Sequence, residues 1–143
     1  MSGDLLRLTA STLRDRVAAG DASALAATDA SFARAGEVNA GRDGHNIVLW
    51  HDREWSRAAA ESIDACVMSG VPVGPLAGVP VALKDNLATE HLPTTCGSRM
   101  LEGYVSPYES TAARRLSRRL NPQLRPLAPI HQRHSRSSSA THW

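Results

Sequence analysis

The chain has almost no lysine. Lys84 is the single lysine in a chain of 143 residues, and all the other basic residues among the 16 Lys and Arg are arginines. A lysine kept at one position indicates a task that arginine does not perform. Lysine can lose its proton when water is removed from around it, as a general base must, whereas arginine stays protonated. Lys84 is therefore a candidate catalytic base, and the alternative is an exposed ion pair with Asp85.

Cysteine and long apolar runs are also scarce. The two cysteines, Cys66 and Cys96, have a spacing that fits no zinc or redox motif, so no metal site is predicted. No apolar run approaches the roughly 20 residues of a membrane span. The amino terminus lacks the basic and apolar segments of a signal peptide. These absences predict a cytoplasmic protein with reduced thiols and no membrane partner.

The carboxyl-terminal part lacks glycine, acidic residues and an apolar pattern. No glycine follows Gly103, and residues 117–143 carry five arginines without one acid. The preceding 116 residues hold 11 basic and 14 acidic side chains, so the positive charge belongs to the end of the chain. Prolines, serines and arginines cannot bury a core. We therefore predict one domain over 1–119 and a disordered basic tail over 120–143.

Hydrophobic periodicity and capping residues predict an α/β fold. Helices are expected near 9–19, 23–36, 53–69 and 110–119, with Thr9, Ser23 and Asp52 at the first three amino termini. Short apolar runs predict strands near 46–50 and 79–83. Two strands without neighbours make an incomplete sheet.

One stretch, Gly74 to Arg99, combines these signals. The apolar run Val79–Leu83 ends abruptly in Lys84-Asp85-Asn86. In open α/β sheets ligands bind at the carboxyl ends of strands, where Lys84 is expected to lie. The small and hydroxyl-bearing residues of 93–98 follow, and such a loop lets backbone approach a ligand closely.

This stretch, Gly-Val-Pro-Val-Ala-Leu-Lys-Asp-Asn followed by Leu-Pro-Thr-Thr-Cys-Gly-Ser, resembles the amidase signature family. The resemblance implies the amino-terminal part of that fold, a mixed sheet flanked by helices. It also implies a Ser-cis-Ser-Lys triad in which Lys84 is the base. The family's nucleophile lies in a later Gly-Gly-Ser-Ser-Gly-Gly segment that this chain lacks, so Cys96 and Ser98 are not assigned as nucleophiles.

Within the family, the chain is most similar to the glutamine-hydrolysing subunits of tRNA-dependent amidotransferases. The resemblance implies glutamine as substrate, partner subunits that complete the complex, and an indirect link to tRNA. The parent complex uses ATP and Mg, whereas no cofactor is expected on this part. Without the serine segment, we expect no activity from this chain alone. The abrupt change of composition at about Ser117 suggests a shifted reading frame or a mis-predicted gene end.

Two alternatives remain open from the sequence. One is a small-molecule amidase of the same family. The other belongs to a different class, a non-catalytic remnant whose basic tail contacts RNA through phosphate charges.

Overall fold

The computed structural model describes residues 2–40, 44–45, 47–120 and 130–132. In chain order the elements are α1 (Ser2–Leu5), α2 (Ala10–Ala18), α3 (Ala24–Asn39), β1 (Val48–Trp50), α4 (Arg53–Met68), β2 (Ala82–Lys84), a 3-10 helix (Arg99–Leu101), α5 (Thr111–Leu120) and β3 (Ile130–Gln132). The four predicted helices correspond to α2, α3, α4 and α5. The short helices at 2–5 and 99–101 were not predicted.

Three of the helices begin at the predicted capping residues. The side chains of Thr9, Ser23 and Asp52 each accept a hydrogen bond from the backbone N–H three residues further on, at 3.2, 3.1 and 2.9 Å. Each of these bonds satisfies one of the donors that a helix leaves open at its first turn. The amino termini of α2, α3 and α4 are therefore fixed by local sequence, as predicted.

The core lies between α2, α3 and α4. Its buried residues are small and aliphatic: Leu13, Val17, Ala24, Ala27, Ala60, Ile63 and Ala77. Alanines let the helices approach closely, and the segment before β2 passes against them at Gly78. Gly78 has φ +72°, and a Cβ there would lie 2.8 Å from Val17 Cγ2. Only glycine fits this crossing without displacement.

A single carboxylate joins α4 to the start of α3. Asp64 accepts hydrogen bonds from Ser23 Oγ and Ala24 N, both at 2.7 Å, and from Leu25 N at 3.2 Å. The negative charge also lies at the positive end of the α3 dipole. Asp64 therefore caps a helix that begins 40 residues earlier in the chain.

The sheet has the strand order β1-β3-β2, with β3 antiparallel to β1 and parallel to β2. The predicted strands near 46–50 and 79–83 correspond to β1 and β2. β1 begins later than predicted, and β2 both begins later and ends one residue later, at Lys84. β2 begins at Ala82, so Pro80 precedes it and removes no donor from the ladder. In β2 only Leu83 is buried, while both neighbours are exposed.

The predicted disordered tail, 120–143, falls mostly outside the described residues. Leu120 closes α5, and Ile130–Gln132 form β3 between the other two strands. The structure differs from the prediction at these positions, because the open edges of β1 and β2 offer unpaired backbone groups that an extended segment satisfies. Residues 121–129 and 133–143 lie outside the described part of the chain.

Candidate active site around Lys84

Lys84 is the last residue of β2, as predicted from the end of the apolar run. Its side chain is exposed, whereas Leu83 before it and Asp85 after it are buried. The chain turns immediately, since Leu87 N donates to the Lys84 carbonyl at 2.9 Å. Asp85 lies in this turn, just beyond the end of β2. Lys84 is thus presented to solvent at a strand end that the turn fixes.

Asp85 is anchored inside the protein. It has no solvent exposure, and its carboxylate accepts bonds from Thr95 N at 2.8 Å, Gly97 N at 3.1 Å and Thr95 Oγ1. Its carbonyl accepts from Cys96 N at 3.2 Å. Lys84 forms no ion pair with any described residue. The exposed Lys84–Asp85 pair considered from the sequence is therefore wrong.

The loop that Asp85 holds has an unusual backbone. Cys96 has φ +52° and Gly97 has φ +72°, both in the left-handed region. Backbone of this kind turns successive N–H groups toward one point and forms a concavity for an anion. Here the anion is the Asp85 carboxylate, which fixes the loop to the end of β2. We call residues 93–98 the Asp85-anchored loop.

The sequence predicted a loop able to approach a ligand but missed the role of Asp85. The available signal was weak: an aspartate at a strand end, followed about ten residues later by adjacent hydroxyl and glycine residues. Nothing in the local pattern shows that the two segments meet.

A cleft of about 320 Å³ opens beside the Asp85-anchored loop. One wall is apolar and comes from β1, and the other is polar and comes from the loop and the 3-10 helix. Its lining residues are Leu49, Trp50, Thr95, Gly97, Ser98, Arg99 and Glu102. Lys84 is not part of this lining. Asp85 links Lys84 to the cleft. It follows Lys84 in the chain and forms hydrogen bonds with Thr95 and Gly97 in the cleft wall.

The two residues excluded as nucleophiles lie in the same loop. Ser98 Oγ accepts a bond from Met100 N at 3.3 Å and thereby caps the 3-10 helix. Cys96 is exposed and carries a free thiol. No described histidine forms a hydrogen bond with either side chain. The exclusion of Cys96 and Ser98 from catalysis stays a prediction.

Two carboxylates elsewhere have shifted acidities. Burial raises the pKa of Glu109 above its usual 4.5, and Glu90 raises it further, while His91 and Arg114 act in the opposite direction. Glu109 Oε1 is buried and accepts no hydrogen bond from a described residue.

On α3, a hydrogen bond from Arg57 lowers the pKa of Asp29 below its usual 3.8. Burial raises this pKa, but by a smaller amount. Arg57 and Arg53, both on α4, form ion pairs with this carboxylate. These contacts join α3 to α4 away from Lys84.

The part of the chain that the structure describes contains neither a metal-binding cluster nor a membrane span. There, no group of three or more His, Cys, Asp or Glu side chains is arranged to hold a metal ion. No helix among the same residues is long and apolar enough to cross a bilayer.

Comparison with known proteins decides the family. The family model described as Amidase matches residues 26–119, which include β2 and the Asp85-anchored loop. The chain belongs to the amidase family. The resemblance inferred from Gly74–Arg99 is confirmed by this match.

Curated relatives of this amidase chain are components of an amidotransferase. A glutamyl-tRNA(Gln) amidotransferase subunit of Streptomyces coelicolor is 41% identical over 113 residues, covering 79% of this chain and 22% of the relative. The corresponding subunit of Salinispora arenicola is 46% identical with the same coverage. The chain therefore spans about a fifth of the length of the curated relatives it matches.

Solved amidase structures share the fold. A bacterial aryl acylamidase of the amidase signature family superposes with a TM-score of 0.71 at 24% identity, over 88% of this chain and 24% of that one. An amidase family protein from Bacillus anthracis gives a TM-score of 0.75 at 20% identity, over 92% and 25%. At this identity the likeness establishes the fold alone. β3 lies outside the residues that the family model matches.

Proposed function

We propose that this chain is the lysine-bearing, amino-terminal part of the glutamine-hydrolysing subunit of a tRNA-dependent amidotransferase. The observation that carries the proposal is the position of Lys84. It ends β2 beside the Asp85-anchored loop, within the segment that the amidase model matches. Support for the amidotransferase, rather than another amidase, comes from relatives at 41% and 46% identity that carry the name of a glutamyl-tRNA(Gln) amidotransferase.

In the proposed reaction, Lys84 acts as a general base on a serine supplied by polypeptide that this chain lacks. Neutral Lys84 accepts the proton of the nucleophilic serine through a bridging serine, and the serine oxygen attacks the carboxamide carbon of glutamine. The carbon–nitrogen bond then breaks, and the proton returns to the leaving ammonia. Water hydrolyses the acyl-enzyme to glutamate.

A lysine becomes a base when surrounding protein removes it from water. Lys84 is exposed in this chain. We therefore propose that the missing polypeptide, which supplies the serines and the oxyanion hole, also covers Lys84. By itself the chain is expected to release no ammonia from glutamine, because a base without a nucleophile leaves little acyl-transfer catalysis.

In the complete enzyme the ammonia would pass to a partner subunit that amidates glutamyl-tRNA, with ATP and Mg used there. This chain is proposed to bind glutamine only when completed and to meet tRNA indirectly. A cytoplasmic location follows from that role.

The test is a chimera in which residues 1–119 replace the matching segment of the Streptomyces coelicolor relative, assembled with the partner subunits of that enzyme. The chimera should hydrolyse glutamine, and Lys84→Arg should abolish ammonia release without changing the circular dichroism spectrum. Arginine keeps the charge and much of the length but does not accept a proton near neutral pH.

The exchange Arg16→Lys on the exposed surface of α2 is the control, and it should leave turnover unchanged. Near-normal turnover by the Lys84→Arg chimera would remove Lys84 from the catalytic group. A chimera that hydrolyses simple aryl amides but not glutamine would favour the small-molecule amidase instead.

A further inference from the structure

Helix α5 presents a basic face to solvent. Arg114, Arg115, Arg118 and Arg119 are all exposed. They occupy positions i, i+1, i+4 and i+5, which lie on one side of a helix in two rows along its axis. The opposite side packs inward through buried Ala113 and Leu120. We call the four arginines the α5 basic face.

The α5 basic face has little compensating negative charge. Among described residues none of its arginines forms an ion pair. Glu109 acts electrostatically on Arg114, at the start of the helix. Arg115, Arg118 and Arg119 face solvent together, on a chain whose first 116 residues hold more acidic than basic side chains. Such a segregated charge attracts a polyanion.

We propose that the α5 basic face binds the phosphate backbone of nucleic acid without sequence preference. Arginine presents a planar fork that bonds phosphate oxygens in pairs. The two rows place guanidinium groups about 6 Å apart along the helix axis, so successive phosphates of one strand can be bonded together. This inference is independent of Lys84 and of the proposed amidase role.

A membrane surface fits this face less well. Interfacial helices bind bilayers by inserting an apolar side among the lipid chains. The apolar side of α5 is already used, since Ala113 and Leu120 are buried and Leu116 is half-buried. No large apolar side chain of α5 is fully exposed for insertion.

An acidic protein partner also fits less well. The centre of a protein interface is formed by apolar and aromatic side chains. The exposed residues of α5 besides the arginines are Thr111 and Ala112. Contacts between arginine and phosphate need no such apolar centre, because charge attraction and hydrogen bonds stabilise them.

The experiment measures binding of the full chain to fluorescein-labelled oligouridylate RNA and oligothymidylate DNA of about 20 nucleotides, by anisotropy over a salt series. The RNA and DNA arms distinguish the two sources of the same phosphate backbone. Polyglutamate and vesicles containing phosphatidylserine serve as the protein-like and membrane-like polyanions. The oligonucleotides should bind. Polyglutamate and the vesicles should bind at least about tenfold more weakly.

Two variants with the same loss of charge locate the site. The first changes Arg115, Arg118 and Arg119 to Gln. It should weaken oligonucleotide binding at least about tenfold and lower the slope of log K against log salt by about two. Glutamine has nearly the helix propensity of arginine, so the circular dichroism spectrum should not change.

The second variant changes Arg125, Arg133 and Arg136 to Gln and tests the basic tail that the sequence suggested. It should bind within about twofold of the parent chain. If the first variant loses helix, Arg118→Gln alone carries the test, with a slope lower by about one.

Three results would overturn the proposal: no oligonucleotide binding by the parent chain, an equal or larger loss in the tail variant, or equally tight binding of polyglutamate or vesicles.

Discussion

The carboxylate of Asp85 accepts two hydrogen bonds from Thr95. One comes from the Thr95 backbone N–H at 2.8 Å and the other from the Thr95 hydroxyl. The two residues are ten positions apart, and both are buried. Through this contact the end of β2, where Lys84 lies, is joined to the wall of the cleft.

Replacing Asp85 with Asn should release the loop. An amide puts a donor where one carboxylate oxygen now accepts from N–H groups, leaving buried donors unsatisfied. We expect the free energy of unfolding to fall by about 2–4 kcal/mol. Urea denaturation followed by circular dichroism measures it, with exposed Asp4→Asn as the control. Equal urea midpoints for the two variants would mean that Asp85 is not an anchor.

Asp64→Ala should destabilise the junction of α3 and α4. The change removes a carboxylate that bonds two backbone N–H groups and the Ser23 hydroxyl at the start of α3. Loss of a helix cap lowers the free energy of unfolding by about 1–2 kcal/mol. Glu61→Ala, at an exposed position of the same helix, is the matched control and should lie within about 0.5 kcal/mol of the parent. A smaller effect for Asp64 than for Glu61 would contradict the capping role.

Replacing each of two glycines with alanine should change the stability of the protein in opposite directions. Gly78→Ala places a Cβ 2.8 Å from Val17 at φ +72° and should lower the melting temperature. Strain of this kind amounts to about 2–4 kcal/mol.

Gly36 lies inside α3, and a Cβ there meets nothing within 4 Å. Gly36→Ala should therefore raise the free energy of unfolding by about 1 kcal/mol, through helix propensity. Scanning calorimetry of both variants makes the comparison, and a shift of the same sign in both would refute the packing described for Gly78.

Glu109→Gln should stabilise the protein at neutral pH. Because burial and Glu90 raise the pKa of Glu109, the folded state binds its proton more tightly than the unfolded state. Its favourable contribution is complete below the unfolded pKa near 4.5 and is lost as the pH rises through the folded pKa. The gain from Gln should therefore appear above that range and vanish at acid pH. Urea midpoints between pH 4 and pH 8 measure it, and a gain of the same size at every pH in that range would contradict this linkage.

Local sequence determined much of this protein. The caps at Thr9, Ser23 and Asp52 follow from residue type and neighbouring periodicity, because each bond spans only three residues. The end of the apolar run placed Lys84 at the end of β2. The residues around it were also enough to identify the amidase family, since that match depends on their order along the chain and not on their environment.

Only the tertiary structure decided which polar groups meet. Asp64 reaches the start of α3 across 40 residues, and Asp85 reaches Gly97 across 12, and no local pattern encodes either partner. The alternative of an exposed ion pair with Lys84 placed Asp85 on the surface. Asp85 is instead buried, because a folded loop offers it three donors that compensate for the loss of water. The central place of β3 was likewise decided by the tertiary structure, because β3 pairs with β1 and β2, which both lie far from it along the chain.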